Sequence, residues 1–109
     1  MTDKKSKLIE LDIHRRKLSS LVGELLKMAD EIDQLSKHQS KKLPEDWHKS
    51  LASTCSALAS LNEAVVEIEE LLKAAKISQT ESTILRSVKI ADHLAARLRE
   101  LKQQVSMIG

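Results

Sequence analysis

Apolar side chains recur three or four residues apart along most of the chain. Leu11, Leu18, Leu25 and Ile32 repeat every seven residues, and His14, Leu21, Met28 and Leu35 form a companion series. Leu8, Val22 and Ala29 widen these rows into one stripe, the pattern of an amphipathic helix with one face in a core. The stripe ends near Lys37, and the polar connector KHQSKK follows. Leu43-Pro44-Glu45-Asp46 opens a second helix. Proline fits the first turn because its missing N–H has no helical partner there, and the two acids suit the positive end of the helix dipole. Trp47, Leu51, Leu58, Leu61, Val65, Ile68 and Leu72 mark the second apolar face, which runs out near Lys76. Ser78-Gln79-Thr80-Glu81 has the spacing of a capping box. Ile84, Ala91, Leu94, Leu98, Leu101 and Val105 then carry the stripe of a third helix.

This pattern predicts helices over 4–37, 44–76 and 79–107, each about 45 Å long at ~1.5 Å per residue. Similar lengths and short connectors predict an all-α fold: an antiparallel up-down-up three-helix bundle with long, coiled-coil-like helices, forming one domain over 1–109. Composition agrees. Trp47 is the only aromatic residue, yet 41% of the chain is hydrophobic and 31% charged, a balance suited to long helices and too apolar for a disordered chain. Two glycines and one proline leave too few turn residues for an all-β or α/β fold.

Charge and cysteine usage bound the setting. A net charge of +2 is too small to point to nucleic acid or a membrane surface. The single cysteine, Cys55, cannot form an intramolecular disulfide, so a reducing compartment is expected. The opening MTDKKSKLIELDIHRRK lacks the uninterrupted apolar run of a signal peptide, and no stretch is long enough to span a bilayer. The expectation is a soluble cytoplasmic protein.

Candidate chemistry is sparse. His14-Arg15-Arg16-Lys17 has His-x-x-Lys spacing and resembles the phosphorylated helix of histidine phosphotransfer modules. In those modules a glycine after the lysine leaves room around the imidazole, whereas Leu18 stands there in this chain. The kinase dimerisation helix places an acid directly after its histidine, where this chain has Arg15. Periodicity also turns His14 inward among Leu11, Leu18, Leu21 and Leu25, which predicts a buried or seam histidine. Glu45-x-x-His48 has di-iron ligand spacing, but such a site needs a second copy of the motif and two further glutamates. Cys55, between Thr54 and Ser56 and near Ser53, has no evident base and reads as a packed thiol at the edge of the apolar face. Gly23 lies mid-helix, where glycine costs about 1 kcal/mol relative to alanine, and reads as a close helix crossing. No catalytic residue, metal or cofactor is expected.

The outer faces are more informative. Ile9 and Ile13 point away from the first stripe. Ala52, Cys55, Ala59 and Val66 form a second, shallower stripe on helix two, interrupted by Asn62, whose boundary position keeps its amide in water. Glu63, Glu67 and Glu70 align as an acidic ridge, and Arg86, Lys89, His93 and Arg97 as a basic one, both away from the core rows. Segment charges follow: 43–77 carries three bases and six acids, and 78–109 five and three. An acidic second helix beside a basic third, in three long antiparallel helices, is similar in layout to BAG-type domains, which implies a chaperone-cofactor role as an alternative. A phosphotransfer protein is the other alternative. The reading that the residues favour is a non-enzymatic interaction module, an adaptor, regulator or assembly subunit. Ile9 and Ile13 would serve as apolar anchors and the two ridges as specificity elements. Homodimerisation through helix one is consistent with it. Nucleic acid is not expected, because no aromatic residue interleaves the basic stripe for base stacking.

Overall fold

The structure is a computed structural model that describes residues 3–38 and 42–108. Its elements are α1 (Asp3–Lys37), α2 (Glu45–Lys73) and α3 (Ile77–Ile108), and each packs against the other two. Three side-chain contacts fix their directions. Lys7 Nζ lies 3.5 Å from Glu81 Oε1, near the start of both α1 and α3, so these two helices are parallel. Arg15, early in α1, reaches Glu69, late in α2, at 3.2 Å. Trp47, early in α2, donates its Nε1–H to the carbonyl oxygen of Leu101, late in α3, at 3.2 Å. The result is an up-down-up bundle measuring 61 × 17 × 17 Å.

The core follows the sevenfold rows. Leu11, Leu18, Leu25 and Ile32 from α1, Leu51, Leu58 and Val65 from α2, and Ile84, Ala91, Leu98 and Val105 from α3 are all buried. Ile32, Leu58, Ile68 and Leu98 are wholly inaccessible, and each such side chain contributes about 2 kcal/mol by leaving water.

Two rows differ from the sequence pattern. On α1 the inner companions of the leucines are Val22, Ala29 and Ser36, whereas Leu21 and Met28 are half-buried and Leu35 is exposed. Small side chains fit between closely packed helices, and the longer ones cover the seam from its flank. His14 belongs to this flanking row. It is therefore not buried among leucines as periodicity predicts: its side chain is 50% exposed, with Nε2 3.9 Å from Glu10 Oε1. On α3 the first turns bury Thr80, Thr83 and Ser87, while Leu85, Val88 and Ile90 face outward. The two threonine hydroxyls donate to carbonyls one turn back, Thr80 to Lys76 at 2.7 Å and Thr83 to Gln79 at 2.8 Å. Both hydroxyls are thus satisfied by backbone carbonyls of the same turn of chain, and burial costs little.

The α2–α3 turn also departs from expectation. α2 ends at Lys73 and not near Lys76, because Ala75 adopts a left-handed backbone (φ 56°). Lys76 N–H donates to Leu71 O and Ala75 N–H to Leu72 O, both at 3.0 Å, the paired bonds of a Schellman stop in the position that glycine usually takes. α3 then starts at Ile77, ahead of the Ser78 cap that the spacing predicts.

Candidate functional site

The expected partner-binding residues fall on different faces of the bundle. Ile9 (56% exposed) and Ile13 (47%) line a shallow hollow between α1 and α2 with Lys5, Leu8, Asp12, Arg16, Leu72 and Lys73. The same face continues down the bundle by heptad spacing. Gly23 follows Arg16 by seven residues, Leu26 follows Asp12 by fourteen, and Val66 and Ala59 precede Lys73 by seven and fourteen. Leu26, Val66 and Ala59 are exposed, and a Cβ built on Gly23 would meet nothing within 4 Å. Gly23 therefore marks no close helix crossing. It leaves an open stretch on a face where exposed apolar side chains alternate with charged ones.

Arg15 and Asp12 anchor the upper end of this face. Arg15 donates from Nε to Asp12 Oδ1 at 3.0 Å and from Nη1 to Glu69 Oε1 at 3.2 Å, with its side chain only 19% exposed. Arg16 adds a 3.1 Å bond to the other oxygen of Asp12. Periodicity alone did not single out this bridge, although an arginine within an apolar flank was the available signal.

The ridges occupy the opposite side of α2 and the outer side of α3. Glu63, Glu67, Glu70, Arg86, Lys89 and His93 are exposed, and Arg97 is half-buried. Glu67 and Arg86 line one hollow between α2 and α3 with Leu71, Gln79, Ser82 and Thr83. Farther along that groove, Arg97 lines a second hollow with Leu43, Pro44, Trp47, Glu100 and Met107. Among the described residues, none of these seven charged or titratable side chains forms an ion pair within the chain.

The groups with chemical potential stand apart. His14 lines an α1–α3 groove with Leu11, Ile84, Leu85 and Val88, rimmed by Lys7, Glu10 and Glu81. Its exposure removes the objection from burial to a phosphotransfer role, but Leu18 at the glycine position is itself buried. His48 makes an edge contact with Trp47, ring centroids 5.2 Å apart. Cys55 is an exposed free thiol and not a packed one. Partial burial of the group, and then the nearby Asp33 carboxylate, push its pKa above the ordinary thiol value, which disfavours a nucleophilic thiolate. Among the described residues no three His, Cys, Asp or Glu side chains gather as a metal site, and no helix is long and apolar enough to cross a membrane.

Comparisons with protein-family models, with curated proteins and with solved structures found no match.

Proposed function

We propose that the chain is a non-enzymatic helical-bundle module that binds protein partners through exposed helix faces, as an adaptor, regulator or assembly subunit in the cytoplasm. The observation that carries this reading is the α1–α2 face. Ile9, Ile13, Leu26 and Val66 are large apolar side chains left in water on one side of the bundle. Gly23, Ala52 and Ala59 keep the surface between and beyond them low, so another helix could approach the backbone closely. Covering an exposed isoleucine contributes on the order of 1 kcal/mol, so several together supply the centre of an interface while charges outside it set partner choice.

The test is quantitative affinity capture with the wild type and with Ile13→Glu, Arg86→Glu and Lys89→Glu. Circular dichroism should show unchanged helicity in all three, since each residue is exposed. Specific partners should be depleted with at least one substitution. If every captured protein survives all three changes, the chosen surfaces are wrong. Loss of helicity in Ile13→Glu would place that residue in the core, against the structure.

A further inference from the structure

The α2–α3 face carries an acidic ridge and a basic ridge on either side of one groove. Its acidic ridge lies on α2 toward the loop end, and its basic ridge lies on α3 beside and below it. The shared hollow of Glu67 and Arg86 marks where the two ridges meet. Heptad spacing fills in the strip between them. Ala64 and Ala57 precede Leu71 by seven and fourteen residues and are half-buried, and Ile90 follows Thr83 by seven and is 47% exposed. The strip is thus small or apolar, with charges of opposite sign on its two sides that form no ion pair among the described residues.

We propose that this face pairs with a second copy of the chain about a two-fold axis lying between the ridges. This rests on reading the chain as an interaction module and names one of its partners. Symmetry makes the argument. When opposite patches lie side by side on one face, a two-fold axis between them sets each acidic patch over the partner's basic patch, so the contact is made twice. Arrangements that place a ridge over its own copy bring like charges together and are disfavoured. Ile90 and the alanine strip lie near the axis, where water is excluded first. The available surface is adequate: α2 has 29 residues, about 43 Å at ~1.5 Å per residue, and the bundle is 17 Å across. That gives on the order of 700 Å² per copy, near the ~800 Å² per partner of a standard specific interface.

Sedimentation equilibrium tests this with charge-reversed chains. One carries Glu63→Lys and Glu67→Lys, the other Arg86→Glu and Lys89→Glu; Arg97 is left alone because it is half-buried. The wild type should dimerise at low salt and dissociate at least about tenfold more readily at ~0.5 M salt, where the screening length falls to a few ångströms. Each variant alone should be monomeric, because most of the charge on both its ridges is then of one sign. An equimolar mixture should regain a one-to-one heterodimer, since every contact is again between opposites. Circular dichroism on each variant separates lost pairing from lost folding. A wild type monomeric at ~1 mM and low salt overturns the proposal, as does a dimer that survives both reversals. Neither result touches the capture experiment on Ile13, so failure here and failure of the module reading remain distinguishable.

Discussion

Gly23 and Ala75 occupy each other's preferred environments, and exchanging them should stabilise the fold. Gly23 lies inside α1 with open space where a Cβ would sit, so alanine there meets no obstacle. The gain from glycine to alanine in a helix interior is about 1 kcal/mol, from backbone freedom that the unfolded chain no longer has to lose. Ala75 carries the left-handed conformation of the Schellman stop, which costs an L-residue with a Cβ roughly 1–2 kcal/mol. Glycine removes that strain, but its unfolded chain is freer and it gives up a half-buried methyl, so the net gain is roughly 0.5–1 kcal/mol. The double variant keeps composition constant, and the sites lie in separate elements without a shared partner, so the effects should add to roughly 1.5–2 kcal/mol. Urea unfolding followed by circular dichroism should show a midpoint raised by about 1 M at unchanged slope, and thermal unfolding a Tm raised by roughly 6–8 °C. Trp47, buried and far from both sites, gives an independent fluorescence signal that should shift equally. A less stable Ala75→Gly would refute the left-handed turn. A less stable Gly23→Ala would show that another surface covers Gly23 in solution, and dependence on protein concentration would identify that surface as a second copy.

Two further expectations concern groups on other elements. Trp47→Phe should lower stability by about 2 kcal/mol in urea melts, through lost buried area and the lost bond to the Leu101 carbonyl; an unchanged midpoint would remove this side chain from the α2–α3 seam. Cys55 should alkylate at pH 8 more slowly than an unstructured peptide thiol, because its raised pKa leaves less thiolate. Asp33→Asn should quicken that reaction by removing the neighbouring negative charge, and an unchanged rate would leave burial as the whole cause.

The helical rows were legible because a sevenfold repeat of large apolar residues has few other uses in a chain with two glycines and one proline. Leu11 to Ile32 and Ile84 to Val105 could be assigned inward from spacing alone. What spacing could not assign was the second inward row. His14, Leu21, Met28 and Leu35 and their neighbours Arg15, Val22, Ala29 and Ser36 lie close together on the helix surface. Which row turns inward depends on how near α2 and α3 approach, a property of side-chain volume on the other helices. Hydrophobicity gave too much weight to the flanking row, of which Leu21 and Met28 still pack against the core, because it rewards large apolar residues, whereas a tight three-helix interior selects small ones. The same bias hid the buried Thr80, Thr83 and Ser87; for the two threonines burial costs little because each hydroxyl donates to a carbonyl one turn back. It also hid the end of α2, where an alanine does what a glycine would have announced.

That bias bears directly on the candidate surfaces. Large apolar residues displaced from a narrow interior must go outside, so Leu85, Val88 and Leu35 are accounted for by the packing geometry and require no partner. Ile9 and Ile13 are not accounted for in this way, because they lie opposite the α1 core row and no rotation of the helix compatible with burying Leu11 and Leu18 would bring them in. The unpaired ridges are a separate matter again. Arg15 and Arg16 both close on Asp12, whereas Glu67 and Arg86 share a hollow with no ion pair between them. Exposed pairs contribute little to stability, about 0–1 kcal/mol, so folding alone exerts almost no pull to close that gap. The ridges remain available to a surface that can desolvate them together, and the mixed-variant experiment measures that capacity without requiring any partner but the chain itself.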